Sequence, residues 1–258
     1  LGVRDTFFLL PALKSKTIMS THKETFHRKL EGAWILFSVL TLLSILVGTV
    51  IEIAPMFLVK SNIPTISTVK PLTPLELAGR DIYQREGCVN CHSQMVRPFR
   101  DELERYGEYG KPGESVYDHP FLWGSKRTGP DLSRVGGKYP NLWHVRHMEN
   151  PRSTSPRSLM PNYYWLLEYD LNLSSLSAHL SGLRTLGVPY SDREVSNAVS
   201  LAKEQAKVIA DDVAANGGPK GLANKEIVAV VAYLQRLGKD LKATPTASVS
   251  GSTNNGGS

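Results

Sequence analysis

From residue 32 to residue 51 the chain carries no charged side chain. Twenty residues at ~1.5 Å each cover about 30 Å, the thickness of a bilayer's hydrocarbon core. The run is apolar on every face rather than on one stripe, so it reads as a membrane helix and not as a core helix. Trp34 marks one end, as interfacial aromatic residues do. Past Glu52 the apolar character resumes, which carries the expected helix to about Phe57. No small-residue cleavage site follows, so an uncleaved signal-anchor is expected.

The pattern changes after the span. Residues 59–73 are a linker broken by Pro64 and Pro71. Thr73 is a plausible N-cap, Pro74 suits the first helical position, and Glu76 completes a Thr-x-x-Glu capping box. The helix that starts there places Leu75, Ala78, Gly79, Ile82 and Tyr83 on one face, and Gly87 stops it. Residues 93–190 are rich in Gly, Pro and Tyr and read as loops. Ser191 to Ala215 reads as helix, with Val195, Val199, Ala202, Ala206 and Ile209 at helical spacing. Asn216-Gly217-Gly218-Pro219 ends it. Asn224 then caps a last helix through Leu237, with Ile227, Val230, Val231 and Leu234 apolar.

The ends look different. Residues 1–18 precede Met19 and read as an extension ahead of a natural start or as a native tail. The tail, 241–258, is polar and small and reads as disordered. The organisation is therefore 19–58 for the N-terminal segment and membrane helix, 59–73 for the linker, and 74–240 for the folded domain.

Composition changes this picture little, but charge orients it. The 258 residues are 41% hydrophobic and 21% charged, with formal net charge +6. No basic block with interleaved aromatics stands out, which argues against nucleic acid. Before the apolar run lie Lys14, Lys16, Lys23, Arg28 and Lys29; after it, over a similar length, only Lys60 and Lys70. The positive side stays in the cytoplasm, so the C-terminal domain is expected outside it.

There are two cysteines, too few for a disulfide scaffold. Both fall in Cys88-Val89-Asn90-Cys91-His92. Cys-x-x-Cys-His is the covalent heme c attachment pattern. Thiols at i and i+3 sit one helical turn apart and match the two heme vinyl groups. The next residue, His92, points its imidazole at the iron as one axial ligand. A zinc site would need two further ligands at matched spacing, and a disulfide across two residues would be strained.

For the other axial position Met19 and Met56 lie before the domain, and Met95 is too close to His92 to reach the opposite heme face. Met148 and Met160 remain. Met160 precedes Pro161, which disfavours helix and suits a loop laid across a heme edge; Asn162-Tyr163-Tyr164-Trp165 would supply walls. His119, His144, His147 and His179 are competing ligands. Gly129-Pro130-Asp131-Leu132 offers a proline carbonyl for the Nδ1 of His92, a bond that fixes the ring. Gly79 permits a close crossing of first and last helices, where Tyr83 meets Val230, Val231 or Tyr233.

The segments from Glu86 to Arg100 and from Glu114 to Leu132, with Met160-Pro161, resemble the mono-heme subunit II of cbb(3)-type cytochrome c oxidases. The likeness runs from the membrane helix to about Gly238. It implies a mainly α protein: one transmembrane helix, then a class I cytochrome c-like helical domain with long loop insertions. It implies a single-pass protein of the bacterial inner membrane with a periplasmic heme domain. It also implies a role in which electrons arrive from a di-heme cytochrome c subunit and leave for heme b of the catalytic heme-copper subunit. The family further has a calcium ion near that contact, with Ser125 as a candidate ligand. Glu52, at the membrane edge, reads as interfacial rather than as a proton carrier. The segment Ser93–Lys126, dense in charge and aromatic residues, reads as a docking face. Competing functions are a free-standing membrane-anchored cytochrome c shuttle, a heme-based redox or gas sensor, and a purely structural assembly subunit.

Overall fold

The computed structural model describes residues 26–59 and 64–242. The expectations for residues 1–18 and for the tail beyond 242 fall outside them. The chain divides into two compact units, Leu1–Asn62 and Ile63–Ser258.

In the first unit α1 (Phe26–Gly32) is followed, after a break at Ala33, by α2 (Trp34–Leu58). Within α2 the stretch Trp34–Met56 is long and apolar enough to cross a membrane, and its side chains are exposed all round. Its few hydroxyls are satisfied internally: Ser38 donates to the Trp34 carbonyl and Thr49 to that of Ile45, at 2.9 and 2.8 Å. Such back-bonding suits a helix surrounded by lipid, where no water is available to the hydroxyl.

The second unit is helical; no strand forms among the described residues. Helix α3 (Pro74–Arg85) starts where the cap signal places it. The Glu76 carboxylate accepts the Thr73 amide at 2.8 Å, while the Thr73 hydroxyl turns away to Gln205. The short α4 (Arg100–Tyr106), α5 (Asn141–Glu149), α6 (Pro151–Thr154) and α7 (Leu176–Thr185) interrupt the stretch expected to be loop. They run 4 to 10 residues, too short for periodicity to declare itself, and α4 buries only Glu102.

The expected helix 191–215 is two helices. The first, α8 (Asp192–Ser196), stops at Asn197, and α9 (Ala198–Ala215) begins afresh. Ser191 and Glu194 form a capping box at the start of α8. The face α9 buries is a ridge of Ala198, Ala202, Ala206, Ala210 and Val213, whose small side chains let neighbouring helices lie close. Val195, Val199 and Ile209 pack at its margins.

The last long helix, α10 (Glu226–Arg236), is capped by Lys225, one residue later than expected. Lys225 is held extended by a bridge to Asp170, and the Glu226 amide donates to the Tyr169 carbonyl. Asn224 instead ends a preceding 3-10 turn. A final turn, α11 (Lys239–Lys242), follows.

Helices α3 and α10 cross at the centre of the unit. Every residue from Glu226 to Leu234 is buried. A Cβ on Gly79 would lie 1.8 Å from the Ala229 carbonyl oxygen, so only glycine allows this approach. Tyr83 and Tyr233 meet edge to face at 5.3 Å. Arg85 at the end of α3 grips buried Glu226 at the start of α10, its Nη1 donating at 2.8 Å. The sequence signals for this crossing are thus realised.

The segment from Ser93 to Lys126 folds back on the helices. Arg80 on α3, itself buried, donates to the carbonyls of His119 (3.1 Å) and Pro120. Glu114 receives both guanidinium nitrogens of Arg134, at 2.9 and 2.7 Å. Phe99, Leu103, Tyr109 and Phe121 stay exposed, and Phe121 stacks on Trp123 at 4.6 Å.

Candidate functional site

Helix α3 delivers the chain to the Cys-x-x-Cys-His turn. Gly87, at φ 72°, makes the reversal that a side-chain-bearing residue rarely makes. Cys88–Asn90 then form one 3-10 turn, and the Cys91 and His92 amides both donate to the Cys88 carbonyl, at 3.1 and 2.9 Å. The two thiols are free, Cys88 half-buried against the core and Cys91 exposed. Burial pushes the Cys88 thiol up to about 12, and the nearby Glu86 carboxylate adds to the rise.

His92 is anchored from one side only. Its Nδ1 lies 2.7 Å from the Pro130 carbonyl oxygen. Burial pulls the imidazole below its ordinary range while the carbonyl opposes that, which favours the neutral ring with its proton on Nδ1. Nε2 is thereby left as a lone-pair donor, the form in which histidine ligates iron. The turn that supplies the carbonyl is fitted to the ring. A Cβ on Gly129 would fall 2.2 Å from Cε1 of His92, so a side chain there would displace the imidazole. The turn is sewn to the motif by Gly129 N–H to the Cys91 carbonyl and Leu132 N–H to that of Ser93, each 2.9 Å.

The segment after α6 closes on the same place. Met160 is half-buried and packs against the core. Its amide donates to the Ser158 hydroxyl oxygen at 3.2 Å. The Tyr163 amide donates to the Met148 carbonyl at 2.7 Å, tying the segment to the end of α5. The Trp165 indole N–H reaches the Glu86 carboxylate at 3.0 Å. Burial raises the Tyr163 phenol, and Cys88, Cys91 and Glu86 raise it further. Met148 lies in the core, 7% exposed.

The other histidines have separate settings. His179 Nδ1 contacts Asp81 at 2.9 Å, and His119 is exposed. His147 stacks on Trp143, which stacks on Tyr139, at 4.6 and 3.9 Å between rings. Burial lowers the His147 pKa and the charge on His92 lowers it further. His144 is 2% exposed with no partner on Nε2; burial, then His147, holds its pKa down to about 4. No sequence signal separates His144 from the other three.

The Ser125 carbonyl accepts from the Arg97 guanidinium at 3.0 Å. Among the described residues no group of three His, Cys, Asp or Glu side chains gathers for a metal ion.

A helical unit closed by crossing first and last helices, with one histidine held by a proline carbonyl behind a Cys-x-x-Cys-His turn, has the architecture of a mono-heme cytochrome. The model of the family described as "Cytochrome C oxidase, mono-heme subunit/FixO" matches residues 27–241. The chain belongs to this family, which corresponds to the cbb(3)-type subunit II. It is thus a subunit of an oxidoreductase complex of electron transport, and its family carries one heme. No curated protein matches the chain.

Proposed function

We propose that the chain binds one heme c covalently through Cys88 and Cys91, with His92 and Met160 as the axial ligands. It then relays single electrons from a di-heme cytochrome c subunit to heme b of the catalytic heme-copper subunit. The observation that carries the reading is the 2.7 Å contact of His92 Nδ1 with Pro130, which leaves Nε2 as the ligating atom. The bound group supplies a one-electron Fe(III)/Fe(II) couple. The chain's part is to hold and tune it. Pro130 fixes the imidazole plane, Gly129 makes room for the ring, and the thioether of Met160 favours the reduced ion. Tyr163 and Trp165 screen the motif from water. In this reading α2 crosses the bacterial inner membrane with its N-terminus in the cytoplasm, and the helical unit is periplasmic. Ser125 ligates a calcium ion at the contact with the catalytic subunit, and the aromatic segment around Phe99 and Phe121 docks there.

Denaturing electrophoresis followed by heme staining tests the attachment. A stained band at this mass is expected, and Cys88→Ala with Cys91→Ala abolishes it. Met160→His keeps the iron six-coordinate and lowers the potential by ~200 mV, within the range axial ligands command. Met148→Leu and His147→Leu leave the potential unchanged. If His147→Leu, and not Met160→Leu, removes the low-spin spectrum, the ligand assignment is wrong. Purification with a multi-heme membrane partner separates the subunit from a free shuttle. Carbon monoxide binding to the reduced protein marks a sensor, and unchanged turnover after loss of both cysteines marks an assembly role. Protease added to intact spheroplasts digests the helical unit; protection until lysis reverses the orientation.

A further inference from the structure

The turn that holds His92 contains a carboxylate whose place in the site is not explained by the imidazole bond itself. Asp131 follows Pro130, and its side chain is fully shielded from solvent. A buried carboxylate is costly unless its lone pairs are engaged. Those of Asp131 are. Oδ2 accepts from the Ser93 hydroxyl at 2.6 Å and from the Met95 amide at 2.9 Å, with the Arg127 guanidinium 3.6 Å away. Oδ1 accepts from the Ser133 amide at 2.9 Å and from the Ser133 hydroxyl.

These donors come from two stretches. Ser93 and Met95 lie immediately after His92; Arg127 and Ser133 flank Pro130. The carboxylate therefore joins the chain one step beyond the imidazole to the chain one step beyond the carbonyl. We infer that Asp131 is a positioning residue: by clamping these two stretches it fixes the Pro130 carbonyl on His92 Nδ1 and so sets the donor strength and ring plane of the proximal ligand. The inference rests on the heme reading above.

The chemistry requires a carboxylate. Asp offers two acceptor oxygens with about four lone-pair sites, whereas Asn offers one oxygen and a donor NH2. All the groups facing Asp131 donate, so an Asn would set a donor against a donor on one side. The clamp also reaches outward. Arg127 donates to the Met95 carbonyl at 3.0 Å and to Glu102 on α4 at 2.7 Å, and Glu102 accepts the Arg97 amide at 2.7 Å. The inserted segment is thereby fastened to the same carboxylate.

Two variants separate positioning from mere charge. Asp131→Asn removes the charge and inverts one side of the clamp. Ser93→Ala keeps the charge and removes one donor. The full heme-loaded chain, purified in detergent, is followed by redox titration and by electron paramagnetic resonance of the oxidised iron. Loosening the Pro130 bond weakens the imidazole as a donor and favours Fe(II). Both variants are therefore expected to retain stained heme, to shift the largest g value, and to raise the reduced fraction at fixed potential. For Ser93→Ala the expected change in the Fe(II)/Fe(III) ratio is about threefold, or ~30 mV at ~59 mV per tenfold.

If the carboxylate acted only as a negative charge, Ser93→Ala would leave it less neutralised. The potential would then fall or stay still and the g values would not move; that result overturns the inference. Unchanged g values in both variants overturn it too, whatever Asp131→Asn does to the potential. An unstained wild-type band is a different failure, one that removes the heme reading itself.

Discussion

Replacing Gly79 by alanine adds one methyl group at the tightest point of the helical unit. Its carbon would lie 1.8 Å from the Ala229 carbonyl oxygen and 3.0 Å from Tyr233 Cβ, against ordinary contact from about 3.4 Å. Moving from 1.8 to 3.4 Å requires α3 and α10 to part by about 1.6 Å at the crossing. A gap of only ~0.5–1 Å already forfeits a quarter to a half of the dispersion well. Overpacking of this kind costs ~1–3 kcal/mol and occasionally more. Alanine's better helix propensity returns at most ~1 kcal/mol. The crossing also holds the edge-to-face pair of Tyr83 and Tyr233 and the ion pair of Arg85 with Glu226. A net loss of ~2 kcal/mol follows from the upper end of that range. At ~2–4 °C per kcal/mol for a domain of this size, the midpoint falls by roughly 4–8 °C. Gly182 supplies the control, because it lies at an exposed position of α7 with nothing within 4 Å of its would-be Cβ. The same substitution there stabilises by ~0.4–1 kcal/mol. Thermal melts of the full heme-loaded chain in detergent, read by circular dichroism, give both values. If Gly79→Ala melts at or above the wild type, alongside Gly182→Ala, the close crossing does not exist as described.

Gly129→Ala places a methyl 2.2 Å from the His92 ring; the covalent heme stain is expected to persist while the low-spin spectrum weakens, and an unaltered spectrum would show that the turn can retreat. His144 is held neutral in the fold at about 4, against ~6.5 when unfolded. Stability is therefore full above ~6.5 and declines by ~3 kcal/mol as pH falls to 4, because the unfolded chain takes up the proton first. Urea titrations at pH 7 and pH 5 should show this slope in the wild type and less of it in His144→Phe. Glu102 shifts in the same direction, though the form the fold favours is the charged one: burial pushes its carboxyl up, but Arg127, then the Arg97 amide, outweigh it and leave it below the ordinary range. Its contribution is present above the unfolded value of ~4.3 and is lost as pH falls through the folded one, so Glu102→Gln should lower stability at pH 7 and flatten the acid limb below that.

The features legible in the chain are those written in neighbouring residues. The uncharged run, the cap at Thr73-Pro74-Glu76, and the spacing of Cys88, Cys91 and His92 each state their purpose within a few positions. Gly129-Pro130 was readable for the same reason, because the partner it serves is announced by its own motif. What escaped is set by distant partners. The start of α10 is displaced by Asp170, and Arg80 looks like any solvated arginine until the carbonyls of His119 and Pro120 arrive to meet it. Asp131 directly follows Pro130, yet its clamp needs Ser93 and Arg127 brought alongside. The helices from α4 to α7 are short and partly polar, so no periodic stripe marks them. The break at Asn197 went unmarked because Val195 and Val199 keep helical spacing across it.

The polypeptide enters and leaves the helical unit at one point. The Lys70 amide donates to Asp240 at 3.0 Å and Arg236 donates to the Lys70 carbonyl at 2.8 Å, contacts that join positions 170 and 166 residues apart. Closing a loop of that length costs ~4.5 kcal/mol in chain entropy beyond the constant term, and α3 recovers it only when α10 is present to receive Gly79. Such long-range closure is slow compared with the formation of single helices. During synthesis the segment bearing Cys88 and Cys91 therefore emerges well before the helix that completes its surroundings. For all of that interval the two thiols ride on an open chain, and chemistry at them needs no part of the domain to be undone.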